Sequence, residues 1–350
     1  LLAFLSVFST LFYPTRGLGR SPRHYPGLPV HHDRLSSPFT GFLAAKAPYW
    51  LTRTGPLSVG IDSGEGGKFT RRDFRLSDLK TIVNKWQTFM IDNGGWNALY
   101  MENHDQSRTV TRYASDATPD LRIKSAKMLA THLALQSGTL FVYQGQELAQ
   151  VNLPRSWGMD KYKDIECLNH WKKGLKQHPN DKQFQEDTKR EYWLKSRDNA
   201  RTPMQWDDRP NAGFCPEGVT PWMDVHEDFQ EWNAAKQKAD EDSPYQYWRK
   251  VLDLRQRKKD VFVYGHFKMV DMEHPDICAY TRSEVEGTGK ALVVTSFANK
   301  EIEWKLPVAE KKLVSAATVA LKNYADGPQG RIEEGVFQLR AYEAFVLTVG

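Results

Sequence analysis

The chain has 350 residues, 40% hydrophobic and 12% aromatic, with a formal net charge of +5, an ordinary globular make-up that allows two domains with well-buried cores. The excess of base does not mark a nucleic-acid binder. Lys and Arg are interleaved with acids, as in 181-DKQFQEDTKREYWLKSRD-198, which reads as a solvated helical face rather than a polyanion site. Eleven Trp are a high count, and indole rings serve both cores and sugar-binding clefts.

The first thirteen residues, LLAFLSVFSTLFY, are apolar but too short to cross a bilayer, and no Met or basic segment precedes them as in a signal peptide. Residues 14 to about 57 are rich in Pro, Gly and Arg without periodicity and read as irregular chain. From residue 58 the character changes. Leu76, Leu79, Ile82, Val83, Trp86, Phe89 and Met90 fall at helical spacing, predicting an amphipathic helix over 76–91 that Asn93-Gly94-Gly95 terminates. The run 96-WNALYM-101 predicts a strand that ends abruptly in 102-ENHDQSR-108, and 139-TLFVY-143 repeats this pattern before 144-QGQE-147. A helix over 122–136 lies between them, stopped by Gly138. Helix, strand, helix, strand at these lengths is a βα repeat with a parallel sheet, whose polar groups gather at the strands' C-terminal ends.

Residues 148 to about 242 form a long polar insertion with helices expected near 161–176 and 181–195, and a helix over 243–258 follows. After residue 262 short strands are predicted at 277–282, 291–298, 302–306 and 342–349, making a small antiparallel β domain. Cys167, Cys215 and Cys278 fit no zinc or redox spacing, and there is no Asn-x-Ser/Thr sequon. Both observations point to a reducing, intracellular setting.

Chemistry concentrates in 102-ENHDQSR-108. A carboxylate, Asp105, beside an imidazole, His104, at a strand's C-terminal end can grip vicinal hydroxyls such as those of a sugar. An Asp there can equally cap a loop or helix. Arg201, in 200-ARTPMQW-206, has the forked donors suited to paired oxygens, or it can lock the long loop as an ion pair. No His/Asp/Glu cluster has ligand spacing, and neither a metal nor a cofactor is expected.

Several stretches in order carry a specific resemblance: 61-IDSGEGGKF-69, 95-GWNALYMENHDQSR-108, 125-SAKMLATHLALQSGT-139, 143-YQGQELAQVNLPRSWG-158, 197-RDNARTPMQWDDRPNAGF-214, 221-PWMDV-225, 232-WNAAKQ-237 and 260-DVFVYGHF-267. Over about residues 58–350 the chain resembles glycoside hydrolase family 13, in the branch of oligo-1,6-glucosidases and maltases. The resemblance implies an α/β fold, the C-terminal part of a (β/α)8 TIM barrel followed by a small antiparallel β domain. The segment 1–57 would then be irregular and foreign to the family. Residues 58–262 would belong to the barrel, with the insertion after strand eight, and 263–350 would be the β domain. The helix over 76–91 would be barrel helix six, and the two short runs strands seven and eight. The implied activity is that of a retaining α-glucosidase acting on short α-linked glucosides such as maltose or isomaltose, with no nucleic-acid or membrane partner. Asp105 matches the family's transition-state-stabilising carboxylate, His104 the adjacent hydroxyl ligand, and Arg201 the arginine of the non-reducing-end subsite. Sucrose isomerases and trehalose-forming enzymes share many of these motifs.

The departure from the family pattern is large. The nucleophile of strand four, in a Gly-Phe-Arg-x-Asp-like sequence, and the acid/base Glu of strand five have no counterpart here. Asp33, Asp62 and Glu65 lack a surrounding apolar strand, and Asp62 and Glu65 match the loop before barrel helix six instead. The calcium loop of some members would also lie in the unmatched early barrel. The expectation is a truncated glycosidase, inactive alone because nucleophile and acid/base act as a unit. The alternative is a non-catalytic relative, either a sugar-binding remnant or a protein like the heavy chains of amino-acid transporters.

Overall fold

In a computed structural model, residue 69 and residues 73–350 are described. The segment 1–57, with its apolar first thirteen residues and Asp33, and the carboxylates of Asp62 and Glu65 lie outside the described residues. Among the described residues, no helix is long and apolar enough to cross a membrane.

The first helix among the described residues, α1 (Leu76–Asp92), forms where the apolar spacing predicts it and buries Leu76, Leu79, Val83 and Trp86. Asn93 closes it, its backbone N–H and side-chain amide both donating to the Phe89 carbonyl. The strand that follows, β1 (Ala98–Leu99), is only two residues long, and its parallel partner β2 (Thr139–Leu140) is equally short. Both are shorter than the apolar runs predict. The ladder between them pairs Ala98 with Thr139 and Leu99 with Leu140, and is flanked by Thr139 N–H to Asn97 O and Phe141 N–H to Leu99 O, each 2.8 Å. Gly138 is required at this crossing. Its φ is +136°, and a Cβ there would fall 2.4 Å from the Asn97 carbonyl oxygen.

A short helix, α2 (Thr109–Tyr113), leads to α3 (Pro119–Ala134), which starts with Thr118 as N-cap and Pro119 in its first turn. Helix α3 is buried from Ser125 through Ala134 without interruption. Such a helix shows weak apolar periodicity because it is covered on several sides. The insertion contributes α4 (Ile165–Gln177), α5 (Lys182–Lys195), a 3₁₀ turn at Arg197–Ala200 and α6 (Ala234–Ala239). On α5 only Thr188 and Tyr192 are buried, in keeping with a solvated charged face. Helix α7 (Pro244–Arg257) packs on α3, and the single turn α8 (Lys259–Phe262) follows. Arg255 of α7 donates to the carbonyls of Ala134, Gln136 and Gly138, satisfying the C-terminal end of α3.

The remainder is antiparallel β structure: β3 (His266–Val270), β4 (Ile277–Ser283), β5 (Lys290–Ser296), β6 (Ile302–Lys305), the turn α9 (Lys311–Val314), β7 (Thr318–Lys322), β8 (Gln329–Arg331), β9 (Val336–Leu339) and β10 (Ala344–Val349). The strands form one sheet of order β3-β4-β5-β10-β7 and another of order β6-β9-β8. The larger sheet is covered on both faces. Cys278, Tyr280, Ala291, Val293, Ala344 and Val346 join the core shared with α1, α3 and α7. The alternate residues Ile277, Ala279, Leu292, Val294, Phe345 and Leu347 join Trp304, Phe337 and Leu339 of the smaller sheet. Double coverage explains why β4 and β5 read as continuous apolar runs. Lys80, wholly buried in α1, joins the helix to the β domain by donating to the carbonyls of Asp271, His274 and Ile277 at 2.7–3.1 Å.

Candidate functional site

The loop after β1 presents Asp105 and His104 to solvent, with side chains 39% and 72% exposed. Asn103 shapes the turn by accepting the Asp105 N–H at 2.8 Å on its side-chain oxygen. Asp105 is not the cap of α2. Glu102 does that work, taking the Thr109 N–H at 2.8 Å and the Thr109 hydroxyl at 2.7 Å. The Asp105 carboxylate is therefore left to face other groups.

Those groups come from the distant 3₁₀ turn. Arg201 donates through Nη2 to Asp105 Oδ1 at 2.8 Å and through Nε to the His104 carbonyl at 2.7 Å. His104 Nε2 lies 3.4 Å from Asp105 Oδ2. The three residues singled out in the sequence are thus brought together, although 96 residues separate Asp105 from Arg201. The loop-locking reading of Arg201 is realised in this geometry. A sugar-contacting role is compatible with it, because the pair remains partly open to solvent.

Sequence reasoning missed Arg197, whose Nη1 stands 3.6 Å from Asp105 Oδ1. It also missed the buried polar chain beneath the site. Arg108, with its side chain fully buried, donates to Glu102 at 3.0 Å, to the Gln144 carbonyl at 2.7 Å and to Gln150 Oε1 at 2.7 Å. Gln150 donates to Gln205 Oε1 at 2.7 Å, and Gln205 donates to Asp228 Oδ1 at 2.7 Å. Asp228 is also held by Arg122 at 2.6 Å and faces His226 Nδ1 at 2.6 Å. Burial would raise the Asp228 carboxyl, but His226 and Arg122 outweigh it and hold it at about 2. This chain laces the loop after β1, the loop after β2 and the 201–205 segment into one unit. Gly145 makes room for it: its φ is +84°, and a Cβ there would lie 2.0 Å from Gln150 Oε1. The only signal in the sequence was the density of Gln and Arg in 102–108, 144–150 and 201–205.

Among the described residues, no group of three or more His, Cys, Asp or Glu could hold a metal ion. Cys167 and Cys278 are buried free thiols, which burial pushes up to about 12. Among the Trp side chains, Trp86, Trp248 and Trp304 are core residues, whereas Trp96, Trp206 and Trp222 are exposed.

Comparison with known proteins bears on this arrangement. The family described as "Alpha amylase, catalytic domain" matches residues 56–265. The alpha-glucosidase of Schizosaccharomyces pombe is 43% identical over 259 residues, covering 74% of this chain and 43% of the relative. An oligo-1,6-glucosidase of Parageobacillus thermoglucosidasius is 37% identical over 291 residues, covering 83% of this chain and 49% of the relative. Among solved structures, the trehalose-6-phosphate hydrolase of Bacillus licheniformis superposes with a TM-score of 0.73 at 34% identity, covering 82% of this chain and 49% of that one. The chain spans about half the length of the curated relatives it matches. With its short parallel strands, their polar C-terminal loops and the antiparallel domain that follows, the chain belongs to the alpha-amylase family of glycoside hydrolases, family 13, and carries the C-terminal part of that α/β barrel fold.

Proposed function

We propose that this chain supplies the sugar-binding and charge-stabilising part of a retaining α-glucosidase acting on short α-linked glucosides. The observation that carries the reading is the Asp105 carboxylate, held open to solvent at the C-terminal end of β1 by Arg201. In this reading Asp105 accepts sugar hydroxyls and stabilises the positive charge that develops at the anomeric carbon. His104 contacts an adjacent hydroxyl, and Arg201 holds the glucose unit at the non-reducing end. β1 and β2 act as barrel strands seven and eight, 58–262 as the barrel portion and 263–350 as the β domain. The setting is cytoplasmic, without a nucleic-acid or membrane partner. Retention requires two carboxylates roughly 5 Å apart across the scissile bond, and Asp105 supplies neither role. The chain by itself is thus proposed to bind glucosides without hydrolysing them.

Calorimetric titration of the purified chain with glucose and maltose tests the assignment. Saturable binding is expected, weakened about tenfold or more in Asp105→Asn, the worth of one hydrogen bond to a charged group. No release of nitrophenol from p-nitrophenyl α-glucoside is expected. Rapid turnover by the chain would refute the division of labour, and wild-type affinity in Asp105→Asn would refute the site.

A further inference from the structure

Two guanidiniums four residues apart on one turn reach the same oxygen of Asp105: Arg201 at 2.8 Å and Arg197 at 3.6 Å, both on Oδ1. His104 stands on the other side, 3.4 Å from Oδ2. Arg197 makes its strongest bonds elsewhere. Its Nε donates to Asp164 Oδ2 at 3.0 Å, and its Nη2 to Asp164 Oδ1. The Asp164 side chain is fully buried and N-caps α4 through the Glu166 N–H. Asp198, next to Arg197, accepts the backbone N–H groups of Lys163 and Asp164 at 2.8 Å each, so the turn and the start of α4 form one rigid joint.

We propose that Arg197 is a positioning residue of the sugar-binding site, which by sharing one guanidinium between Asp164 and Asp105 turns Asp105 so that Oδ2 is the oxygen offered to the sugar. The proposal rests on the reading of Asp105 as a sugar ligand. A carboxylate held by Arg201 alone can swing about its single close contact. A second cation on the same oxygen reduces that freedom and leaves Oδ2 beside His104. An arginine is needed because the Nε/Nη2 edge occupies Asp164 while Nη1 remains for Asp105. A lysine ammonium can pair with Asp164 but cannot span both carboxylates.

The test is glucose titration of the full chain carrying Arg197→Lys, Asp105→Asn or both, with thermal melts alongside. Arg197→Lys is expected to weaken glucose binding about fivefold at a melting temperature near wild type, and to have no further effect in the Asp105→Asn background. If Arg197 serves only to hold α4, the lysine keeps the Asp164 pair and glucose binding stays at the wild-type value, which overturns the proposal. Should Arg197→Lys fail to fold, Asp164→Asn carries the test. It keeps a capping oxygen for α4 but loosens the fork, and the same weakening is expected; unchanged binding again overturns the proposal. If the wild-type chain binds no glucose, or Asp105→Asn binds as well as wild type, the sugar-binding reading itself fails and the proposal falls with it. That outcome is distinct from a loss confined to position 197.

Discussion

Replacing Arg108 with leucine should cost about 3–5 kcal/mol of stability, the penalty for stranding one member of a buried ion pair. Arg108 and Glu102 have side chains 0% and 1% exposed and meet at 3.0 Å. Leucine removes the cation but leaves the Glu102 carboxylate in place, with only the Thr109 N–H and hydroxyl to hold it. The bonds to the Gln144 carbonyl and to Gln150 are lost as well. Neutralising the stranded acid should recover part of the loss: Glu102→Gln added to Arg108→Leu is expected to regain about 1–2 kcal/mol, because a neutral amide is far cheaper to bury than a carboxylate. Urea titration of wild type, single and double variants measures both steps. A single variant as stable as wild type would show that the pair does not hold the loop carrying Asp105.

The second large effect is on acid stability. His132 lies wholly buried in the last turn of α3, its ring edge-on to Phe297 at 5.5 Å and to Tyr280 at 6.3 Å. Burial lowers its pKa from 6.5 to about 4, and its Nδ1 has no hydrogen-bond partner. Because the folded value is depressed, the unfolded chain takes up the proton first as pH falls. The contribution of the neutral ring is whole above pH 6.5 and drains away towards pH 4, amounting to about 3 kcal/mol across that window. His132→Leu, which keeps an apolar side chain of similar bulk against the two rings, should remove that slope. Stability measured from pH 7 to 4 is therefore expected to converge between wild type and variant at the neutral end and to favour the variant by about 3 kcal/mol at the acid end. Parallel curves would place the acid lability elsewhere.

The elements most legible in the sequence were those with one clean apolar face or an apolar run that something buries. Helix α1 lies over 76–92 against a predicted 76–91, and α7, β4, β5 and β10 fall close to their predicted places. Strands β7 and β8 were passed over because their side chains are largely exposed, leaving no alternation to see. Helix α2 is too short for periodicity to register. At the site, Asp105, His104 and Arg201 stood out because they sit in compact, distinctive motifs. Arg197 and the Glu102–Arg108–Gln150–Gln205–Asp228 chain did not, since what selects them is proximity between loops far apart in sequence, as between Arg197 and Asp105 or Gln150 and Gln205. No spacing rule reports such a contact.

The direction of that buried chain has a dynamic consequence. From Arg108 to Asp228 every hydrogen bond points the same way, each amide accepting from the cationic side and donating to the anionic side. Turning over Gln150 alone would set its NH2 against the Arg108 guanidinium and its carbonyl against that of Gln205. Neither glutamine can therefore rearrange by itself. The three loops should breathe as one cooperative unit, and the side-chain amide protons of Gln150 and Gln205 should exchange with deuterium at a common, slow rate. On that timescale Asp105 sits on a platform that opens as a whole or stays shut.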